Sequence, residues 1–249
     1  MSGHNKWSSI KHKKGAADAK RGKIFTRLVK EIILAARDGG GDLSTNPRLR
    51  TAVQAARGAN MPKDNIDKAI KRGTGEIEGV SYEEITYEGY GHGGAAIIVD
   101  TMTDNKNRTV AEIRHAFSKY GGTMAESGAV SWNFEQMGLI EIDATGLEED
   151  EVMMNALEAG ADDVQNDDDV FSIYTQVAEF SKVIVAIENL GYKINKAELT
   201  RVPKSTINAD DVAEKLLRLI EKLEDLDDVQ KVYSNFDISD EIFEKINLD

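Results

Sequence analysis

Hydrophobic positions recur with helical spacing in the first third of the chain. On a helix drawn at about 100° per residue, one half of the surface holds Ile24, Phe25, Leu28, Val29, Ile32, Ile33 and Ala36. Asn46-Pro47 marks a helix start, because Asn caps exposed N–H groups and proline fits the first turn. Met61-Pro62 opens another helix, and glycines follow each segment. The pattern predicts a bundle of three helices with short connections: 16–37, 47–57 and 62–73.

The remainder of the chain alternates between strand and helix patterns. Its middle has the order β-α-β-β-α-β, which is typical of a ferredoxin-like domain. The predicted elements of this block are strand Leu139–Ile142, helix Glu148–Ala159, strands Asp163–Gln165 and Val170–Tyr174, helix Val177–Leu190 and strand Lys193–Arg201. The predicted flanking elements are strands Glu84–Glu88, Ala95–Thr101, Val130–Phe134 and Val229–Phe236, a helix from Asp104 or Asn105 to Tyr120, a helix Ala209–Leu226 and a short last helix.

These patterns predict an α+β protein of three domains: an N-terminal three-helix bundle followed by two α+β domains, one ferredoxin-like and inserted into the other. The insertion follows because neither flank is a complete layer by itself. Asp162-Asp163-Val164-Gln165 recurs as Asp227-Asp228-Val229-Gln230 at the same place in a helix–strand unit, a weak sign of internal duplication. The predicted domains are a basic helical domain 1–78, a discontinuous α+β domain 79–136 plus 205–249, and an inserted domain 137–204.

Charge divides the chain as sharply as the helix and strand patterns do. The whole sequence has 31 Lys and Arg against 44 Asp and Glu, a net charge of -13. Residues 1–75 hold 17 basic and 6 acidic residues, a net of +11, which leaves 14 and 38, a net of −24, for the rest. Such asymmetry indicates a polyanionic partner for the basic part. Nucleic acid fits, because lysine and arginine bind phosphate with release of counterions.

The candidate contact set lies in the basic arm and on the first helix, whose basic residues occupy one arc of the helix surface. The alternative is an ordinary solvated lysine face. Trp7 suits stacking on a base and equally suits anchoring the arm on the bundle. Trp132, inside a predicted strand, is expected in the core. The predicted nucleic-acid-binding residues are Lys6, Trp7, Lys11, His12, Lys13, Lys14, Lys20, Arg21, Lys23, Arg27 and Lys30.

Signatures of catalysis and of cofactor binding are missing from the sequence. It has no cysteine, and its four histidines are dispersed. The glycine-rich loop 89–94 lies between two predicted antiparallel strands, so we expect a turn there and no phosphate loop. Asp167-Asp168-Asp169 lacks the glycine and closing glutamate of a calcium hand and is expected to be a hairpin tip. We expect a non-enzymatic cytoplasmic protein without cofactor, metal, membrane span or signal peptide.

Several motifs in order along the chain resemble the YebC-type family. They are Gly3-His4-x-Lys6-Trp7, Ile10-Lys11-His12-Lys13-Lys14, Asp18-Ala19-Lys20-Arg21-Gly22-Lys23, Asn46-Pro47-Arg48-Leu49-Arg50, Tyr87-Glu88-Gly89-Tyr90-Gly91, Thr103-Asp104-Asn105-Lys106-Asn107-Arg108-Thr109 and Asp227-Asp228-Val229-Gln230. The chain departs from the family at His92, where many relatives have proline. The resemblance implies three domains and a DNA-binding transcriptional regulator. It also implies a link to translation, because mitochondrial relatives activate synthesis of a cytochrome oxidase subunit and bacterial relatives relieve ribosome stalling at proline-rich sequences.

Two hypotheses therefore share a basic surface that binds nucleic acid. In the first, the protein is a DNA-binding transcriptional regulator. In the alternative, it is a ribosome-associated translation factor that binds ribosomal RNA, for which an extended arm is well suited. A third hypothesis is a protein-interaction module with a solubilising tail. The expected partner is DNA or ribosomal RNA, with no membrane and no small-molecule substrate; a monomer is favoured.

Overall fold

The structure is a computed structural model that describes residues 17–167 and 170–246, with side chains for 22–166, 170–239, 241–242 and 245–246. The helices are α1 (Ala17–Gly39), α2 (Pro47–Gly58), α3 (Lys63–Gly73), α4 (Lys106–Lys119), α5 (Glu149–Ala159), α6 (Phe180–Asn189), α7 (Ala213–Glu224) and α8 (Asp240–Lys245). The strands are β1 (Glu83–Tyr90), β2 (Ala96–Thr103), β3 (Thr123–Ala125), β4 (Phe134–Asp143), β5 (Asp163–Asp167), β6 (Val170–Gln176), β7 (Ile194–Pro203), β8 (Ile207–Asn208), β9 (Val229–Ser234) and β10 (Phe236–Asp237). Short 3₁₀ turns lie at His92–Gly94, Ser131–Asn133 and Asp210–Val212.

Helices α1, α2 and α3 pack together as the predicted bundle. Asn46 caps α2 by accepting the Leu49 N–H at 3.0 Å, and its amide donates to the Ala35 carbonyl at 2.7 Å. Gly73 ends α3 against α1, where a Cβ would clash with the Ile33 carbonyl. The core of the bundle consists of Ile32, Ile33, Ala35, Ala36, Leu49, Ala52, Val53, Ala56, Met61, Ile66 and Ala69.

The described chain divides into two compact units. One comprises the residues up to Phe134 together with those from Pro203 onward, and the other is the continuous segment Glu135–Val202. The bundle and the flanking α+β elements therefore belong to one unit. The finer division into domains 1–78, 79–136 plus 205–249 and 137–204 stays a prediction.

The α+β part of the first unit is built on a sheet of order β3-β1-β2-β9, with every neighbouring pair antiparallel. Strand β2 is buried along almost its whole length because both of its faces are covered. Ile97 and Val99 join a core with α4 and α7, while Ile98 packs in a second cluster with Val130 and Tyr233. We call this part the body.

The second unit has the predicted β-α-β-β-α-β order, and its sheet runs β5-β6-β4-β7. Strands β5 and β6 pair antiparallel, from Asp163 opposite Tyr174 to Asp167 opposite Val170. Asp168 and Asp169 lie outside the described residues. Helices α5 and α6 cover the sheet through a core that includes Ile140, Phe171 and Val183. The fold class predicted from the sequence, with a ferredoxin-like element order in this unit, is confirmed.

The predicted strand Val130–Phe134 is wrong, and with it the prediction that Trp132 lies in the core. Residues 131–133 form a 3₁₀ turn, and Trp132 is 69% exposed. The cause lies in the buried Glu88, whose carboxylate accepts the N–H groups of Gly128, Val130 and Ser131 at 2.7–2.9 Å. Those hydrogen bonds curl the segment into a turn. Strand β3, three residues long, was too short for its pattern to predict.

The glycine-rich loop is a turn, as expected. It joins the antiparallel strands β1 and β2, and Gly93 and Gly94 have positive φ values that favour glycine. The His92 ring nitrogen lies 2.8 Å from the Tyr120 carbonyl oxygen. The histidine is therefore a structural contact that holds the turn against the end of α4. No helix of the described residues is long and apolar enough to cross a membrane.

Candidate nucleic-acid interface

Most of the predicted contact residues cannot be placed. Those of the arm, Lys6, Trp7, Lys11, His12, Lys13 and Lys14, lie outside the described residues, as do the side chains of Lys20 and Arg21 on α1. The structure describes the side chains of Lys23, Arg27 and Lys30 and brings all three to one place.

Two of these cations, Lys23 and Arg27, contact the carboxyl end of α7 in the body. The Lys23 ammonium donates to the Asp225 carbonyl at 2.7 Å, and the Arg27 guanidinium donates to the Glu224 carbonyl. Their spacing along α1, with Lys30 one turn further on, puts all three on the same helix face. The basic face predicted from the sequence therefore exists, but in this structure a part of the protein itself occupies it.

The contact has a clear electrostatic origin. The last carbonyl groups of a helix lack partners within the helix and carry the negative end of its dipole, so cations bind there favourably. Asp225 adds a carboxylate 3.8 Å from the Lys23 ammonium. Burial lowers the pKa of Arg27, and Glu224, Asp225 and the following Asp227 oppose that shift. Acidic groups thus surround the carboxyl end of α7.

Lys30 lies at the centre of a second, buried arrangement. Its ammonium is 2.8 Å from the Asp228 carboxylate and donates to the carbonyls of Met102 and Asp227, each at 3.1 Å. Lys30 is only 5% exposed, and it lies over the Tyr82 ring at 5.5 Å. A buried ammonium with these acceptors has no access to a phosphate. We therefore remove Lys30 from the contact set.

Asp228 unites two of the motifs that carried the family resemblance. Its second oxygen accepts hydrogen bonds from Arg108 at 2.6 Å, Thr109 at 2.8 Å and Thr103 at 3.1 Å. Burial alone would raise the pKa of Asp228, but the hydrogen bonds from Lys30, Arg108 and Thr109 outweigh it and hold that pKa at about 2. We call Asp228 and its partners Lys30, Thr103, Arg108 and Thr109 the Asp228 centre.

An open cleft of about 340 Å³ adjoins the Asp228 centre. Its lining adds Tyr82, Asp104, Glu112 and Asp227 to Lys30, Arg108 and Asp228. Carboxylates therefore outnumber cations there, which disfavours binding of phosphate. The cleft does not extend the predicted nucleic-acid interface. Among the described residues, no group of His, Asp and Glu is arranged to hold a metal ion.

Another set of cations, which was not predicted from the sequence, lies on the outer surface of the bundle. Lys68, Lys71 and Arg72 lie on the face of α3 opposite the buried Ile66 and Ala69, and all three are exposed. None of them has a side-chain hydrogen bond or an ion pair with the described residues. A helical projection of residues 63–73 would have found them. Arg57 at the end of α2 and Lys63 at the start of α3 are exposed in the same way.

The described residues thus define an α+β protein in which a basic helical bundle contacts an acidic body. The family model described as "TACO1/YebC protein N-terminal domain" matches residues 5–76. The model described as "TACO1/YebC second and third domain" matches residues 82–236. The chain belongs to the TACO1/YebC family, and the resemblance noted in the sequence is confirmed.

Relatives of similar length support the same conclusion. A "Probable transcriptional regulatory protein" of Desulfosudis oleivorans is 57% identical over 245 residues, which cover 98% of this chain and all of the relative. One of the same name from Syntrophus aciditrophicus is 58% identical over 249 residues, 99% of this chain and all of the relative. The crystal structure of a conserved hypothetical protein from Aquifex aeolicus is similar with a TM-score of 0.85 and 49% identity, covering 92% of this chain and 96% of that one.

Proposed function

We propose that this chain is a cytoplasmic regulator of gene expression that works by binding nucleic acid, and that it is a DNA-binding transcriptional regulator. The observation that carries the proposal is the charge division, +11 within residues 1–75 against −24 for the rest. The regulator name of its relatives supports the same function. The protein acts in this proposal by occupying nucleic acid and catalyses no reaction.

The proposed contact surface is the arm together with the bundle. It comprises Lys6, Trp7, Lys11, His12, Lys13, Lys14, Lys20 and Arg21, the two α1 cations Lys23 and Arg27, and the outer cations Lys68, Lys71 and Arg72. Lysine and arginine bind phosphate without specifying sequence, so this surface accounts for affinity and for orientation on the polymer.

A second candidate is a ribosome-associated translation factor that binds ribosomal RNA and relieves stalling. The occupied face of α1 favours it, because a helix whose basic face contacts the body is poorly placed to enter a major groove. The arm and the outer cations of α3 would then contact phosphates on a folded RNA, which proteins recognise largely by shape and backbone.

The deciding experiment measures binding of the full chain to duplex DNA and to 70S ribosomes at several salt concentrations. A duplex site bound about a thousandfold more tightly than random DNA supports the transcriptional proposal. Tight ribosome binding beside weak, steeply salt-dependent DNA binding supports the second candidate.

A triple variant tests the surface itself. Lys11→Gln, Lys13→Gln and Lys14→Gln together should weaken binding to all duplex sequences alike and reduce the salt slope by about 2.7, the value for three lost phosphate contacts. The matched control neutralises Lys182, Lys193 and Lys215, which are exposed and lie outside the proposed surface. Equal affinity in the two triple variants would contradict the proposal that the arm binds nucleic acid.

A further inference from the structure

The carboxyl end of α7 contacts the cationic face of α1. Like a nucleic-acid backbone, it presents oxygen acceptors and negative charge to the cations. Lys23 and Arg27 bind main-chain carbonyl oxygens at the end of α7, beside the carboxylate of Asp225. The same side chains belong to the surface proposed to bind phosphate. A cation cannot donate fully to both, so the body and a polyanion compete for it.

The contact of Lys23 differs from that of Lys30 in its access to water. The Lys23 side chain is 42% exposed and the Asp225 side chain 49% exposed. The Lys30 and Asp228 side chains are only 7% and 4% exposed. An incoming polyanion can reach and screen the outer pair, whereas the buried pair is protected from screening.

The packing of α1 also differs between its two halves. The buried residues that α1 gives to the bundle core all lie in its second half: Ile32, Ile33, Ala35 and Ala36. Phe25, in the first half, and Leu28 and Val29, at the middle of the helix, are only partly buried. The first half of α1 can therefore leave the body without exposing the most buried part of the bundle core.

We propose that Lys23 and Arg27 form a latch with the carboxyl end of α7, and that a nucleic-acid backbone opens this latch by taking the two cations. The buried Lys30–Asp228 pair stays intact and holds the second half of α1 on the body. In the latched form the acidic end of α7 shields the first half of α1, which lowers the affinity for nucleic acid. This inference rests on the proposed function and adds an intramolecular competitor to it.

The absence of cysteine from the sequence allows a direct test. Lys23→Cys and Asp225→Cys replace two neighbouring latch residues, and a short bis-maleimide joins them across the contact. The control pair is Glu83→Cys and Lys106→Cys, which replaces an exposed ion pair within the body, 2.6 Å long, and is joined by the same reagent. Each protein is also capped with a monofunctional maleimide, so that every comparison is made within one variant.

Two quantities are measured: the affinity for a duplex and for a ribosomal RNA fragment, and the rate of cross-linking with and without inorganic polyphosphate. Cross-linking the latch should weaken nucleic-acid binding by about tenfold or more, as expected when the competent state is about a tenth as populated. The cross-linked control should bind as its capped form does. Polyphosphate should slow cross-linking of the latch pair, because it still competes with the Glu224 carbonyl for Arg27 in this variant, and it should leave the control pair unchanged.

The outcomes separate the latch from the proposed function. Equal affinity of cross-linked and capped latch variants, with cross-linking rates insensitive to polyphosphate, overturns the latch while nucleic-acid binding stands. If polyphosphate slows cross-linking but neither nucleic acid binds, the proposed function is overturned. The latch then opens in response to polyphosphate but not to nucleic acid. If neither effect occurs, both proposals fail.

Discussion

At the scale of single residues, Asp228 shows how much of this structure depends on contacts between distant parts of the chain. Its carboxylate binds Lys30, 198 residues away, and Thr109, 119 residues away. The motifs containing these residues stand out in the sequence, but hydrophobic periodicity says nothing about which polar side chains meet. Their convergence on one buried carboxylate could therefore not be predicted, although each helix and strand that carries them could.

Replacing Asp228 by Asn should be strongly destabilising. The substitution preserves the volume but leaves the buried Lys30 ammonium without its counter-ion, which costs about 3–5 kcal/mol of the free energy of unfolding. Urea unfolding of Asp228→Asn would measure the loss. Asp104→Asn is the control, because Asp104 pairs with Arg108 at a half-exposed position and should cost at most about 1 kcal/mol. Equal losses in the two variants would contradict the assigned role of the buried pair.

The same carboxylate predicts how stability depends on pH. The pKa of Asp228 is about 2 in the folded protein, whereas an aspartate without these partners has a pKa of 3.8. The folded state therefore favours the ionised form. Its contribution, about 2 kcal/mol, is complete above pH 5 and is lost as the pH falls through 3.8 towards 2. The difference in unfolding free energy between the wild-type protein and Asp228→Asn should therefore shrink over that interval. If that difference in unfolding free energy stays constant down to pH 2, the folded state does not stabilise the ionised carboxylate of Asp228.

At the scale of elements, the sequence pattern predicted a helix or strand correctly where residues close in sequence determine where it begins and ends. Asn46 and Asn105 cap α2 and α4 through their own side chains, accepting the N–H groups three residues on. The segment 130–134 was mispredicted because its apolar and polar residues suit a strand, while Glu88, 42 residues from Val130, binds its N–H groups. The docking of α1 on α7 was missed for the same reason, since the acceptors are main-chain carbonyls that no side-chain pattern reveals.

Trp132 should therefore behave as a surface residue. Trp132→Ala is expected to change the free energy of unfolding by no more than about 0.5 kcal/mol, because its ring is 69% exposed. Phe117→Ala, at a fully buried aromatic residue of α4, should cost about 3–5 kcal/mol in the same denaturation experiment. A loss at Trp132 that approaches the loss at Phe117 would restore the core position that the strand pattern predicted.

At the scale of the whole molecule, the sequence shows a clear division of charge. The structure shows that part of the basic charge is bound within the protein. The net charges of +11 for residues 1–75 and −24 for residues 76–249 indicate a part that binds a polyanion and a remainder that repels the same polymer. Among the described residues, however, Lys23, Arg27 and Lys30 bind the body, whereas Lys68, Lys71 and Arg72 on α3 are exposed. A count of basic residues thus overstates the charge on α1 that is available to a partner.

The α3 surface can be tested as a unit. Neutralising Lys68, Lys71 and Arg72 to Gln should weaken duplex or ribosomal RNA binding irrespective of sequence and lower the salt slope by up to about 2.7 on duplex DNA. It should leave the free energy of unfolding nearly unchanged, because none of these exposed side chains forms a hydrogen bond or an ion pair with the described residues. The comparison protein is the triple variant at Lys182, Lys193 and Lys215, which removes the same charge elsewhere.

Combining the α3 variant with the arm variant at Lys11, Lys13 and Lys14 then asks whether both regions contact one polymer. If they do, the reductions in salt slope add, because each phosphate contact releases its own counterions. If the arm variant alone removes the whole salt dependence, α3 does not contact the nucleic acid, and its exposed cations are an ordinary solvated helix face.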